Sequence, residues 1–313
     1  MPGERPLAAL HRRRPPRVLP VVLLTAAPWT WFLLRDPLGL VGDVLAIVLP
    51  VLVVVGVVLL LRSLRRRGVL PAVSLLLAGT VAVVVPWTPE DAGTVRPDAA
   101  VRLAATNVTG MTSTVPALLG TRADVLVVTE DDPAVDAALA PAYPYREVTM
   151  AESHVGVYSR YPVRLLEPAG PDLPGLRVAV AAPVPFDLLA LHVPRPWFTG
   201  RGGYQATPAE HHRLVQAAAA RVAATPGPVV VAGDLNSTDR ARDYRSLVDG
   251  AGMVDVVRDA WAGPTQVTSW LPFLLRIDHV LVSRGWCGDA PRRFGLPRSD
   301  HLGVVATIGP CTG

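Results

Sequence analysis

Apolar and polar positions follow two different patterns along this chain, and they divide it near residue 88. Before that point three apolar runs, 18–34, 44–61 and 69–87, are long enough or nearly so to cross a bilayer core, which takes about 20 residues of helix. Prolines 20, 28, 50 and 71 are poor in the helices of water-soluble proteins but are tolerated in transmembrane ones. Beyond residue 88 the apolar runs shorten and each ends in a polar residue, the pattern of buried strands. Strands are predicted at 101–106, 124–129, 146–148, 155–158, 177–181, 186–192, 228–232, 276–283 and 302–308. Helices are predicted at 114–120, 133–140, 205–224 and 241–248, the third of them long and rich in alanine. Strands interleaved with helices predict an α/β domain of one substantial core.

Composition supports the division. Half of the residues are hydrophobic and the mean hydropathy is +0.34, too apolar for one water-soluble domain of 313 residues. Charge sets the orientation. Arg5, Arg12, Arg13, Arg14 and Arg17 precede the first run, and Arg62, Arg65, Arg66 and Arg67 separate the second from the third, whereas the first loop has only Arg35 with Asp36 and Asp43. The positive-inside rule then puts residues 1–17 in the cytoplasm, makes 18–88 a three-span anchor and carries everything after the 89–100 linker outside. The alternative is a cleaved signal peptide ending near Thr25, Ala26 and Ala27, and it too leaves the C-terminal domain outside. Residues 1–96 hold 11 arginines against 5 acidic residues, and the remainder 19 against 21, so the high pI belongs to the anchor. The large domain lacks the broad positive field with which duplex-binding proteins hold nucleic acid. An outside location permits a disulfide between Cys287 and Cys311, with two unpaired thiols as the alternative.

The candidate chemistry sits where apolar strands end. In P-V-V-V-A-G-D-L-N at 228–236, Gly233 lets the backbone turn and Asp234 and Asn236 emerge at the strand end, where α/β proteins often carry polar site groups. Asn107, Glu130 and His192 end other strands, Asp278 interrupts one, and Asp300 and His301 precede the last. A carboxylate inside an apolar strand is costly unless paired, and an Asp orients a His by accepting its ring N–H. A hard cation such as Mg²⁺ takes one or two carboxylates together with substrate phosphate oxygens.

The series T-N at 106–107, T-E at 129–130, Y-S-R-Y-P at 158–162, L-H at 191–192, G-D-L-N, R-I-D-H-V-L-V-S and S-D-H resembles the endonuclease/exonuclease/phosphatase superfamily, in the family's order over nearly all of 100–309. The anchor followed by an outside domain resembles the membrane-bound actinobacterial branch linked to glycopeptide (teicoplanin) resistance. The resemblance implies a DNase I-like four-layer α/β/β/α sandwich, here over residues 101–313, that hydrolyses phosphoesters with Mg²⁺ or Mn²⁺. It implies Glu130 as the principal metal ligand with Asn107 beside it, and Asp300 supporting metal or His301. Asp234 would handle the attacking water and Asn236 hold the phosphate. His301, paired with Asp278, would contact the phosphate, and His192 would stabilise charge or protonate the leaving group. Thr129 departs from the family pattern, which often has Gln before the metal-binding Glu.

The expected partners are therefore the lipid bilayer and a phosphorylated, lipid-linked substrate, not nucleic acid. A surface nuclease would share the whole site, and a non-catalytic ligand-binding module is the reading from another class. His211 and His212, adjacent on the long helix, are read as solvated, His279 as facing away from Asp278, and His154 as a residue flanking the 155–158 strand, with nearness to the site the minority reading. Trp197, Phe198, Trp261, Trp270 and Phe273 make the flanking loops aromatic, a rim suited to packing or to lipid.

Overall fold

The computed structural model describes residues 18–45, 90–197, 199, 203–259, 263–267 and 274–313. The chain divides into two compact units, 1–33 with 49–85, and 34–48 with 86–313. Helix α1 spans Val18–Leu38. Among the described residues no helix is long and apolar enough to cross a membrane, and the second and third expected spans lie outside those residues from residue 46 onward. The three-span anchor therefore rests on the sequence alone.

In the larger unit the strands in chain order are β1 (Val101–Asn107), β2 (Val125–Thr129), β3 (Tyr145–Thr149), β4 (Val155–Ser159), β5 (Val163–Glu167), β6 (Gly175–Val180) and β7 (Phe186–His192). After two short segments that pair with each other, β8 (Arg195–Pro196) and β9 (Gln205–Ala206), come β10 (Val229–Asp234), β11 (Val254–Asp255), β12 (Gln266–Val267), β13 (Leu274–Leu275), β14 (Asp278–Val282), β15 (Trp286–Gly295) and β16 (Leu302–Pro310). Helices α2 (Val115–Gly120), α3 (Pro133–Leu139), α4 (Pro208–Ala224) and α5 (Arg242–Arg245) complete the framework. Two six-stranded sheets form, ordered β15-β16-β1-β2-β4-β3 and β11-β14-β10-β7-β6-β5.

Alternation within each strand builds three apolar layers. Leu103, Ala105, Val125 and Val127 of one sheet meet Val178, Leu188, Ala190, Val230, Ala232 and Val280 of the other in the central core. The opposite parity, Leu189, Leu191, Val229 and Val231, packs under Leu214, Val215, Ala218 and Val222 of α4. On the far side Ala104, Leu126 and Val128 pack under Leu118, Val135 and Leu139 of α2 and α3. Each fully buried Val or Leu contributes on the order of 1.5–3 kcal/mol, so strands apolar on both faces are what a four-layer α/β/β/α sandwich requires. That architecture is the one expected.

Local chemistry sets the element ends. Helix α4 starts three residues later than the sequence pattern predicts, because Thr207 caps it by accepting from Glu210 N at 3.2 Å and Pro208 takes the first turn. The predicted 241–248 helix is only α5 followed by a π-helical turn at Ser246–Gly250. Cys287 on β15 and Cys311 beyond β16 form a disulfide, with Cα atoms 5.0 Å apart across 24 residues of sequence, which contributes about 3 kcal/mol by restricting the unfolded chain.

Candidate active site

The same period of two that builds the central core delivers the site. On β10, Val230 and Ala232 point between the sheets, so Asp234 is the next residue on that face. On β7, Leu188 and Ala190 lead to His192, on β14 Val282 and Val280 lead back to Asp278, and on β1 Leu103 and Ala105 lead to Asn107. Register aligns them: Asp234 lies opposite His192 on one side and opposite Asp278 on the other. A row of His192, Asp234 and Asp278 thus crosses three strands of one sheet, facing Asn107 from the other. Glu130 follows β2 with φ +49°, and Asn236 follows Asp234 with φ +46°, both left-handed. Non-glycine residues held there are uncommon and concentrate at functional turns.

Asp234 is the hub. Its Oδ2 accepts from Asn107 Nδ2 at 3.2 Å and lies 3.9 Å from Nε2 of both His192 and His301. Asn107 Nδ2 also donates to Glu130 Oε1 at 2.9 Å, joining the two carboxylates. Both imidazoles are anchored through Nδ1, His301 to Asp278 Oδ2 at 2.8 Å and His192 to the Ser153 carbonyl at 2.9 Å. A carbonyl only accepts, so His192 carries its proton on Nδ1 and aims Nε2 at the site, 4.0 Å from Glu130 Oε1. Burial opposes an imidazolium at His301, but Asp278, with Asp234 and Asp300 behind it, outweighs burial and lifts its pKa to about 10. Asn236 spends one amide N–H on the Val193 carbonyl at 2.9 Å, and its backbone N–H holds Asp234 Oδ1 at 2.9 Å.

The donor set fits a divalent cation. Asp234 and Asp278 are 1% and 0% exposed, yet Asp278 Oδ1 has no hydrogen-bond partner, and Glu130 adds a third carboxylate. Such an acidic excess out of water asks for positive charge. Among the described residues one group of His and carboxylate ligand atoms lies wholly within 4.8 Å, that of Asp234, Asp278 and His301. Of the three metal residues the sequence points to, Asn107 and Glu130 are brought together. Asp300 is exposed and is tied instead to Thr109 Oγ1 at 3.2 Å and Gln266 Nε2 at 3.3 Å.

Several participants carried no sequence signal. Tyr204 donates to the His192 carbonyl at 2.7 Å and packs against its ring, the centroids 4.4 Å apart and the planes tilted by 44°. Thr265 Oγ1 accepts from Ile277 N and Asp278 N, both at 3.0 Å, fixing the start of β14. Ser299 was legible only as part of S-D-H; it donates to the Asn107 carbonyl at 2.9 Å and accepts from His301 N at 3.0 Å.

The other histidines divide. His279 faces the opposite side of β14, bonded to Asp255 Oδ2 at 3.2 Å and the Ser237 carbonyl at 2.9 Å, as its parity predicts. His154 lies 3.2 Å from the Asp131 carbonyl through Nδ1. His211 and His212 correct the expectation of two solvated side chains. His211 is buried, and both rings reach Asp243, whose two oxygens sit at 3.4 Å from His211 Nε2 and 2.5 Å from His212 Nδ1. The carboxylate lies between the two ring directions, so one acidic group serves adjacent positions.

Desolvation outweighs Asp243 at His211 and lowers its pKa to about 4. The folded form is therefore neutral where an unfolded His, with a pKa near 6.5, takes up a proton. Stability from this residue is full above about pH 6.5 and is lost as pH falls toward 4, on the order of 1–3 kcal/mol. His211→Gln is expected to flatten that acid limb in denaturation curves between those values. An unchanged slope counts against the assignment.

A two-sheet sandwich with carboxylates, carboxamides and two anchored imidazoles at one end is the architecture of metal-dependent phosphoester hydrolases. The family model of the endonuclease/exonuclease/phosphatase family matches residues 97–301, and the chain belongs to that family. Among solved structures it is similar to an endonuclease/exonuclease/phosphatase from Beutenbergia cavernae DSM 12333, at 20% identity and TM-score 0.53 over 68% of this chain and 72% of that one. It is also similar to a humanized D. rerio TDP2, at 17% identity and TM-score 0.52 over 67% of this chain and 99% of that one. At these identities the likeness is one of fold. No curated protein matches the chain.

Proposed function

We propose that the protein is a membrane-anchored phosphoesterase, acting outside the cytoplasm on a lipid-linked phosphate or pyrophosphate such as a cell-wall carrier, with a role in glycopeptide (teicoplanin) resistance. The observation that carries the chemistry is the Asp234 hub, with both imidazole Nε2 atoms at 3.9 Å and Asn107 linking it to Glu130. Those gaps exceed hydrogen-bond length and leave room for a water or a phosphate oxygen. The arginine distribution and the disulfide support the location, and the acid–base balance of the large domain favours a lipid over a polyanion.

We assign the cation to Glu130 with Asn107 beside it and Asp300 as outer support, the set the family resemblance implies, with Asn107 Nδ2 holding Glu130 Oε1 at 2.9 Å and the carboxylates of Asp234 and Asp278 adding negative charge nearby. Mg²⁺ or Mn²⁺ there would supply a Lewis acid for a phosphate oxygen. Asp234 orients the attacking water and accepts its proton. His301 presents a charged Nε2–H to a non-bridging oxygen, and the unspent N–H of Asn236 holds another. His192, anchored through Nδ1 by Ser153, stands on the far side of Asp234 to meet the leaving oxygen.

The test uses the full-length protein in liposomes with undecaprenyl pyrophosphate, a simple phosphodiester and DNA, with Mg²⁺, Mn²⁺ or chelator. Cation-dependent release of phosphate from the lipid is expected, with His301→Gln about 10²–10³-fold slower. No hydrolysis of any substrate, or a His301→Gln rate equal to wild type, refutes the enzyme reading, and preferential DNA cleavage makes the protein a nuclease. Alkaline phosphatase fused after residue 96 is expected to be active, and an inactive fusion overturns the outside location.

A further inference from the structure

A second cavity, of about 200 Å³, opens beside the site. Asn236 and Gln266 are among its lining residues; Asn236 follows the Asp234 strand, and Gln266 bonds Asp300 and bridges to the backbone of His301. Leu40, Val44, Trp197, Ala241, Leu275 and Ile277 line it as well. Of its polar lining groups, Asp43 Oδ1 accepts from Arg242 N at 3.0 Å, His211 bonds the Pro194 carbonyl at 3.1 Å while facing Asp243, and Arg242 Nε lies 3.6 Å from Asp243 Oδ1. Leu40, Val44 and the other apolar lining residues make the rest of the surface it offers an occupant mainly apolar. Residues 40–45 are helical and run directly into the 44–61 apolar stretch. The segment expected to enter the membrane thus lines the same cleft as Asn236, two residues beyond Asp234.

We propose that this cleft takes the first apolar units of a single aliphatic alcohol esterified to the phosphate, so that the anchor segment is part of the substrate site and not only a tether. The inference rests on the phosphoesterase reading above and adds the substrate's length rule. A dry cavity of about 150 Å³ takes a benzene ring, so this one holds one to two isoprene-sized units and no more. A longer chain leaves it. Asn236, which holds phosphate in that reading, itself lines the cleft, so the ester oxygen would lie beside it and the chain among the apolar lining residues, Leu40 and Val44 included.

The test measures kcat/KM of the full-length protein in detergent micelles with dimethylallyl, geranyl and farnesyl pyrophosphates. A gain of about tenfold or more is expected from the first to the second ester, since several buried carbons are added, with less than about twofold from the second to the third. Val44→Asp, at an exposed position, and Ala241→Phe, which fills the cleft, should both abolish the gain while methyl pyrophosphate, whose single carbon needs no place in the cleft, is hydrolysed at the wild-type rate. A wild type without the gain, or variants that keep it, overturns the cleft assignment. Phosphatidic acid supplies the two-chain arm; variant-sensitive hydrolysis of it, with insensitive prenyl esters, overturns the single-chain assignment. Failure of all three prenyl esters under every cation, with the simple phosphodiester and DNA also left intact, refutes the phosphoesterase reading itself.

Discussion

Asp234→Asn is expected to lower kcat/KM by roughly 10³–10⁴-fold while the protein folds as before. The size follows from how many tasks meet at one oxygen. Asp234 Oδ2 accepts from Asn107 and faces Nε2 of both His192 and His301 at 3.9 Å. Losing a positioned base alone costs about 10²–10⁴-fold. The carboxamide also removes the negative charge that helps hold His301 protonated and that balances a cation. Asn is close to isosteric, and a buried carboxylate is a burden on the fold, so the melting temperature should hold or rise. Asp300→Asn is the internal contrast. That carboxylate is exposed and engaged by Thr109 and Gln266, so a loss of about tenfold is expected, the low end of the range for an outer-support role. Steady-state kinetics of both variants under saturating cation decide the matter. An Asp234→Asn enzyme keeping a tenth of its activity removes Asp234 from the chemistry.

Much of this site was legible because a period of two needs no tertiary information. A strand such as 186–192 or 228–234, apolar to its last residues and then polar, announces both its burial and its functional end. What the sequence could not show is which ends meet. The alignment of His192, Asp234 and Asp278 depends on register between strands far apart in sequence. Tyr204 and Thr265 act through backbone groups brought near by folding, and nothing local marks them. Of the strands absent from the prediction, the two longer than two residues fail for identifiable reasons. β15 contains Gly288, Asp289, Ala290 and Pro291, which read as a turn, and the structure accommodates them as a register shift between Asp289 and Arg292. β5 is an edge strand, Val163–Glu167, with charged residues that blunt the alternation. His211 and His212 fail differently: helical geometry separates adjacent side chains, but a single carboxylate between them gathers both.

Gly233→Ala should be strongly destabilising for a single added methyl, at roughly 3–5 kcal/mol. Gly233 has φ +130°, a conformation that residues with a Cβ rarely adopt, and an added Cβ would lie 2.1 Å from the Leu191 carbonyl oxygen. That oxygen belongs to β7, whose parallel pairing with β10 sets Asp234 opposite His192. Backbone cannot swing aside as a flexible side chain can, so relief requires the two central strands to part or β10 to twist. Either movement shifts Asp234 against both imidazoles. The variant is therefore expected to lose stability in chemical denaturation and, in the fraction that remains folded, about 10²-fold or more in kcat, since displacements near 1 Å cost that much in positioned sites. A Gly233→Ala protein with wild-type stability would mean that the strands tolerate separation. Full kcat despite lowered stability would mean that the spacing of Asp234 from His192 is not what sets the rate.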